Sequence, residues 1–352
     1  MRAASRGGGT HVPHIVASWF LWGVGYYFYF AYLSPYMSLF VPPPDISRIY
    51  ALAGAAAIAY PSIGLLTYRR VGARGSIVLW MAVAGAGISL MGARQGMPWF
   101  ALSLALNQAF YAALPSYYAA LAAEGSSYIP LTWAISVAPS FFMPTLGGLV
   151  ASRLGLRALF AASGALIASS AVPVAAASGL RAEEGGGEGS GWALAIPAMI
   201  PVALESPYVF LVLERAYGLS DVQLGIIASA GEAVGMASAL LLRSRRWALS
   251  AALAGFSLTA LIRISWAFGV AFGFWESVIP FAIAYVSHGA GTPGVRFYSY
   301  LTTLQAATFL AGYLASSAVA AADYAAVPAL GGMLSALLAA AYAIREAARR
   351  PS

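Results

Sequence analysis

Long apolar runs alternate with short polar connections along the whole chain. A transmembrane helix needs about 20 mostly apolar residues, and these runs have that length. We count twelve runs, which predict an all-α polytopic membrane protein with twelve transmembrane helices. The predicted spans are 15–40, 49–67, 77–93, 97–123, 129–151, 156–179, 192–214, 222–242, 248–270, 276–292, 298–321 and 324–344.

The longest polar stretch, residues 181–191, separates the first six predicted spans from the last six. It consists mainly of Gly, Ser and Glu, which cannot bury apolar surface and form flexible linkers. We therefore predict a six-helix bundle over 1–180, a cytoplasmic linker over 181–191 and a second six-helix bundle over 192–352. A ten-helix carrier with two five-helix halves is the main structural alternative, and the position of the linker weighs against it.

The two halves repeat a short pattern, which predicts that the bundles are pseudo-symmetric. Ser-Pro-Tyr occurs at 34–36 and again at 206–208. A shift of 177 residues places Ile49 on Ile226 and the arginine loop at Arg69 on that at Arg246. Two parallel repeats that enclose a site at the membrane midplane are a transporter architecture.

Composition agrees with a chain whose solvent is lipid. Hydrophobic residues make up 61% and charged residues 9%, against roughly 45–50% and about 25% in soluble domains. All nineteen basic residues are arginines, most of them in short connections or in the termini, and the positive-inside rule explains this better than a nucleic-acid partner does. Thirteen arginines fall on one predicted side and five on the other, with Arg263 left inside a span. We expect cytoplasmic termini, a cell-membrane location, a monomer and no removable signal peptide.

The loop between the second and third predicted spans resembles that of the major facilitator superfamily. That family's signature is Gly-x-x-x-Asp-Arg-x-Gly-Arg-Arg/Lys, and Arg70, Gly72 and Arg74 follow its second part. The resemblance implies that these three residues belong to a gating loop. Arg69 stands where the family has an aspartate that helps to latch the cytoplasmic gate. The segment 144–148, Pro-Thr-Leu-Gly-Gly, is similar to a pattern of the family's antiporters.

The resemblance also implies a substrate cavity lined by the first, fourth, seventh and tenth spans. Aromatic rings at helical spacing on those spans, with few charges, suit an amphipathic or weakly polar solute. Tyrosine belts at the membrane interface and ordinary helix packing are the alternative explanation. The candidate cavity residues on these spans are Tyr26, Tyr29, Tyr36, Asn107, Tyr111, Tyr208 and Tyr285, and Gln305 on the eleventh span is added to them.

Four ionisable side chains fall near the middle of predicted spans. Such residues are costly in lipid and mark functional sites or buried pairs. Glu205 lies on the cavity-lining seventh span, so it is our first candidate for proton coupling, together with His288. A glutamate and a histidine that only hydrogen-bond to neighbouring helices are the structural alternative. Arg263 lies on the ninth span, an outer support by the resemblance, and we expect it to pair with Glu232 on the eighth.

The sequence predicts a secondary active transporter of a small organic, amphipathic solute that works by alternating access. Coupling to protons is expected, with export favoured over import. A nutrient symporter for a sugar or an organic acid, and an uncoupled facilitator or sensor, remain alternatives. No His-Glu-x-x-His, Gly-x-Ser-x-Gly or phosphate-binding loop occurs, so we expect neither an enzyme nor a cofactor or metal. The expected partners are the solute, protons and the lipid bilayer.

Overall fold

A computed structural model of the chain describes residues 11–124, 128–180, 182–185, 196–242, 245, 247–287 and 294–348. Within these ranges the chain forms helices joined by short turns, and no strand occurs. The all-α prediction is confirmed. We call residues 11–180 the first half and residues 196–348 the second half.

Nine α-helices make up the first half. The helix α1 continues through a 3₁₀ turn at Phe30–Tyr32 into α2, and α6 continues through a 3₁₀ turn at Ala138–Phe141 into α7. The bounds are α1 Val12–Tyr29, α2 Leu33–Met37, α3 Pro43–Ala93, α4 Met97–Asn107, α5 Phe110–Glu124, α6 Tyr128–Val137, α7 Met143–Leu154, α8 Leu156–Ser169 and α9 Ala171–Ala176.

Eight α-helices make up the described part of the second half. Three 3₁₀ segments, Pro197–Met199, Ser257–Arg263 and Tyr324–Ala326, lie next to or between them. The bounds are α10 Ile200–Glu205, α11 Val209–Tyr217, α12 Asp221–Leu242, α13 Ala248–Phe256, α14 Phe268–Phe272, α15 Trp275–Ser287, α16 Val295–Asp323 and α17 Val327–Ala348.

Seven helical stretches in the described part are long and apolar enough to cross a membrane. The helix α3 is 51 residues long, about 75 Å at 1.5 Å per residue, whereas the hydrocarbon core is about 30 Å thick. It breaks at Gly72, whose φ of 72° lies in the region that favours glycine. The twelve-span count, the symmetry and the division into two bundles stay predictions.

The two halves pack against each other through α3 with α16, α5 with α16 and α7 with α12. The contact between α7 and α12 is a backbone contact. A Cβ atom at Gly148 would lie 2.5 Å from the carbonyl oxygen of Asp221, and one at Gly225 would lie 2.4 Å from that of Pro144. Small residues permit such close approach of membrane helices. The segment 144–148 therefore lies at the interface between the halves.

Residues 182–185, which we call the strap, join the halves at the linker end of the molecule. The backbone N–H groups of Val295 and Arg296 donate to the carbonyl oxygens of Glu183 and Glu184, at 2.8 and 3.2 Å. On the other side, Tyr68 Oη donates to the carbonyl oxygen of Ala182 at 2.8 Å. The strap thus connects the first half at α3 with the second half at α16.

A second set of contacts joins the halves at the opposite end, which we call the far face (residues 38–47 and 208–221). Tyr208 Oη bonds to the carbonyl oxygen of Pro43 at 2.8 Å and to Ser47 Oγ at 2.9 Å. Arg215 donates to Ser38 Oγ at 3.0 Å. The molecule is therefore bridged between its halves at both ends.

Candidate substrate cavity and buried acids

A cavity of about 170 Å³ lies between the halves. Both halves contribute rings, amides and hydroxyl groups to its wall, and no charged side chain of the described residues lines it. The cavity is therefore apolar with a few hydrogen-bonding groups, as small-molecule sites commonly are. The lining residues are Trp22, Tyr26, Tyr27, Tyr29, Phe30, Leu33, Tyr50, Leu104, Asn107, Gln108, Phe110, Tyr111, Trp133, Ser136, Val137, Val202, Ser206, Phe210, Phe272, Trp275, Ile279, Gln305, Phe309 and Tyr313.

Stacked rings from α1 form one wall of the cavity. Trp22 and Tyr26 stack with ring centroids 5.0 Å apart and planes 9° apart, and Tyr26 stacks on Phe30 at 5.7 Å. Phe110 of α5 also stacks on Trp22, with ring centroids 5.2 Å apart. Spacings of four residues place Trp22, Tyr26 and Phe30 on one face of the helix. This wall is therefore a continuous aromatic stack whose rings cover one another's faces.

Amide groups supply the polar part of the wall. Tyr29 Oη donates to Asn107 Oδ1 at 3.3 Å, and the Asn107 amide donates to the carbonyl oxygen of Ala84 at 3.4 Å. Gln305 of α16 lines the cavity from the second half. Of the predicted cavity residues, Tyr26, Tyr29, Asn107, Tyr111 and Gln305 line this cavity.

Three predicted cavity residues lie elsewhere. Tyr36 packs on Phe160 with ring centroids 4.8 Å apart, inside the first half, because the 3₁₀ turn at 30–32 interrupts the helical register after Tyr29. Tyr208 lies at the far face, because α10 ends at Glu205 and the chain turns before α11. Tyr285 is half-buried and interacts electrostatically with Tyr342 of α17, away from the cavity wall.

Glu205 is fully buried inside the second half. Thr259 Oγ1 donates to Glu205 Oε1 at 2.8 Å, and a Cβ atom at Gly331 would lie 2.3 Å from Glu205 Cγ. The carboxyl group therefore fits between the 3₁₀ segment 257–263 and α17, while its neighbour Ser206 lines the cavity. The coupling role of Glu205 stays a prediction. His288 lies outside the described residues.

Glu232 and Arg263 do not form the expected ion pair. Arg263 ends its 3₁₀ segment with an exposed side chain. Glu232 is buried on the side of α12 that faces α15, where Trp275 Nε1 donates to its Oε1 at 2.9 Å. The salt bridges found among the described residues are Arg48–Asp45 and Arg69–Glu184. The expectation rested on the two residues lying on adjacent predicted spans, which does not reveal which face of α12 carries Glu232.

A second buried acid, Glu276, was missed in the sequence. It lies in the first turn of α15, it is buried, and it accepts a hydrogen bond from Tyr27 Oη of the first half. Glu276 follows Trp275, whose indole donates to Glu232, so the two acids lie close together on facing segments. In the sequence, Glu276 is an acid at the first position of the predicted span 276–292, and we interpreted it as the boundary of that span.

Comparison with known proteins bears on the fold. No protein-family model matches the sequence, and no curated protein matches it. Solved structures that match nearly the whole chain include an auto-inhibited POT family peptide transporter, with a TM-score of 0.70, 11% identity and 98% of each chain covered. The nucleoside transporter NupG matches with a TM-score of 0.67 and 13% identity, over 97% of this chain and 100% of that one. The human organic anion transporter MFSD10, also called TETRAN, matches with a TM-score of 0.63 and 12% identity, over 94% of this chain and 98% of that one. The chain has the fold of major facilitator superfamily transporters.

In this major facilitator fold, the predicted gating loop lies at the linker end. Arg70 and Arg74 are exposed, Gly72 provides the break in α3, and Arg74 donates to the carbonyl oxygen of Ala175. Arg69, at the family's aspartate position, forms a salt bridge with Glu184 of the strap. The Arg69 guanidinium holds the pKa of the Glu184 carboxyl below its ordinary value. The acid that meets this loop therefore comes from the linker.

Proposed function

We propose that this protein is a secondary active transporter that carries a small, neutral or weakly polar organic solute by alternating access, coupled to protons. The observation that carries the proposal is the cavity between the halves, whose wall comes from both halves and includes no charged side chain of the described residues. A site of this kind is loaded and emptied when the halves rock against each other.

The volume and the polarity of the cavity indicate the class of solute. A cavity of about 150 Å³ in another protein holds one benzene molecule, so about 170 Å³ suits a solute built around a single ring. The aromatic stack of Trp22 and Tyr26 gives a solute ring an apolar wall to pack against, and Asn107 and Gln305 offer hydrogen bonds to its substituents. A charged solute would lose its hydration without gaining an opposite charge, which costs several kcal/mol or more.

The contacts at both ends suit a carrier in its occluded conformation. The strap and the far face each join the halves, so passage of a solute requires one set of contacts to break while the other holds. The segment 144–148, which resembles an antiporter pattern, packs at the interface that must move. On this basis we propose export of the solute in exchange for protons.

A thermal-shift screen of the detergent-purified full chain tests the solute class, because a ligand stabilises the state that it binds. The library contains neutral single-ring compounds, nucleosides, short peptides and organic anions, and we expect neutral ring compounds to raise the melting temperature most. Tyr26→Ala removes a stacked ring and should weaken their binding about fivefold, since an aromatic pair contributes about 1 kcal/mol. Tyr300→Ala, at a tyrosine 56% exposed, is the matched control and should leave binding unchanged.

Flux through proteoliposomes then tests coupling. A compound that stabilises the protein should move against its concentration gradient when a pH gradient is imposed. Flux that is the same with and without pH and sodium gradients would identify an uncoupled facilitator instead. If no compound of the library stabilises the protein or crosses the membrane, the solute class proposed here is wrong.

A further inference from the structure

Two carboxyl groups meet directly behind the cavity wall. Glu232 and Glu276 are 1% and 2% exposed. Glu276 follows Trp275, whose indole donates to Glu232, and a Cβ atom at Gly235, three residues after Glu232, would lie 3.0 Å from Glu276 Cβ. Trp275, which donates to Glu232, and Tyr27, which donates to Glu276, both line the cavity. One layer of side chains therefore separates the two acids from the space assigned to the solute.

Backbone contacts hold the two acids together. A Cβ atom at Gly235 would lie 2.0 Å from the carbonyl oxygen of Gly273, and one at Gly273 would lie 1.9 Å from that of Gly231. The helix α12 thus touches the backbone just before α15, without side chains in between. Because the glycines bring the two backbones into direct contact, the segments that carry Glu232 and Glu276 are held side by side.

The surroundings of the pair lack a positive charge. No arginine or histidine of the described residues lies within ion-pair distance of either acid. The titratable side chains of α1 that face both acids are Tyr26 and Tyr27. The Oε2 atoms of both acids are buried and have no hydrogen-bond donor. Two ionised carboxylates here would be an uncompensated double charge, which is far too costly in a buried site.

One proton satisfies this arrangement and a metal ion does not. A proton on either acid supplies the missing donor and removes one of the two charges. A metal cation requires oxygen ligands around it, whereas the Trp275 N–H group directs its own positive end at Glu232. Among the described residues, no group of three or more metal-binding side chains occurs.

We propose that Glu232 and Glu276 share a single proton and form the proton-coupling site of the transporter, an inference that rests on the proposed function. Release of this proton to water in the opened cavity leaves two like charges in contact, so the segments that carry them are driven apart. Tyr27 belongs to the first half and Glu276 to the second, so the same event alters a bond between the halves. It also shifts Trp275 in the cavity wall, where the solute is held.

Infrared spectroscopy of the purified full chain tests the pair without a solute. A protonated carboxyl group has a carbonyl absorption that disappears on ionisation, and we expect such a band to titrate as one group. The double variant Glu232→Gln/Glu276→Gln should lose this band, and each single variant should shift its pH midpoint. Glu214→Gln, at a half-buried acid of α11, is the matched control: it removes only its own carboxyl absorption and should leave the band of the pair and its pH midpoint in place.

Three results of the infrared experiment would overturn the proposal. The double variant could keep the whole titrating band. Glu205→Gln alone could remove it, which would assign the proton to the acid beside Thr259. Replacement of choline chloride by sodium chloride could abolish the band, which would make the pair a sodium site.

Transport measurements distinguish a failure of this inference from a failure of the proposed function. With a solute found by the thermal-shift screen, Glu232→Gln and Glu276→Gln should retain exchange of labelled for unlabelled solute at equal pH, which also shows that they fold. Accumulation driven by a pH gradient should be lost in both and kept in Glu214→Gln. Persistent accumulation in the double variant would overturn the inference. If the unaltered protein moves no solute, the proposed function fails, while the infrared result still decides whether the pair holds a proton.

Discussion

The hydroxyl group of Tyr208 joins the two halves at the far face. It bonds to Ser47 and to the carbonyl oxygen of Pro43, both in the first half. Each net hydrogen bond contributes about 1 kcal/mol, so this one group stabilises the closed far face appreciably. Removal of this single hydroxyl group should therefore shift the balance between the closed and open states of the far face.

We expect Tyr208→Phe to open the far face more often. A loss of about 1 kcal/mol from the closed state corresponds to about a fivefold rise in the open population. The chain contains no cysteine, so Ser136→Cys places a single thiol in the cavity wall. The rate at which a thiol reagent labels this cysteine should rise about fivefold in Tyr208→Phe.

Tyr217→Phe is the control for this measurement. Its hydroxyl group also donates to a backbone carbonyl, that of Ile262, but both residues belong to the second half. Labelling should be unchanged there. An equal rise in both variants would mean that loosening of the second half, and not opening between the halves, exposes the cavity.

At the residue scale, helical spacing identified cavity residues where the helix is uninterrupted. Tyr26, Tyr29 and Asn107 lie where the spacing places them, whereas Tyr36 follows a 3₁₀ turn that no sequence signal marked. The partner of Glu232 could not be predicted either. It depends on the face that α12 turns toward α15, which glycines at 231, 235 and 273 determine through backbone packing.

At the scale of elements, the strap is the contact that composition did not predict. Gly, Ser and Glu indicate a flexible linker, and residues 182–185 nevertheless bond to both halves, chiefly through their backbone atoms. Backbone hydrogen bonds can form with any side chains, so composition cannot reveal them. Among the described residues, the strap also forms a side-chain ion pair, between Glu184 and Arg69.

We expect Glu184→Gln to loosen the strap. Hydrogen exchange of the amides of Val295 and Arg296, measured by mass spectrometry near neutral pH, should become several-fold faster because their acceptors are less firmly held. Glu183→Gln is the matched control, since Glu183 accepts through its backbone oxygen, which the substitution leaves in place. Equal exchange in the Glu184→Gln variant and the unaltered chain would contradict a role for the ion pair.

The ion pair between Glu184 and Arg69 determines how the stability of the strap depends on pH. Arg69 lowers the pKa of Glu184, so the carboxylate form is favoured in the folded state. The stabilisation is therefore fully present above the ordinary glutamate pKa of about 4.3 and is lost as the pH falls through the lowered value. Between pH 5 and pH 8 the strap should hold equally well.

At the scale of the whole molecule, the hydrophobic pattern predicted the helical class, and the resemblance in the loop after the second predicted span predicted the fold. The arginine loop and the central linker identified a major facilitator arrangement that the solved structures share. The orientation of the chain in the membrane is a property separate from the fold, because it depends on the asymmetry of charge across the membrane and not on packing.

We expect the linker end of the molecule to face the cytoplasm. Single cysteines at Ala93 and Gly185, both exposed, can be labelled in intact cells with an impermeant thiol reagent. Ala93→Cys should react from outside, and Gly185→Cys only after the cells are permeabilised, which also shows that both thiols are reactive. The reverse pattern would place the termini outside, and labelling of both from one side would contradict the twelve-span arrangement.

The uncharged wall of the cavity bears on how the protein responds to membrane voltage. A charge that crosses the whole membrane gains or loses about 2.3 kcal/mol per 100 mV, whereas rings and amides feel almost none of this force. Since no charged side chain of the described chain lines the cavity, the field can act there only on the solute and on the acids behind Tyr27 and Trp275. With a neutral solute, any electric current that accompanies transport would therefore be carried by protons.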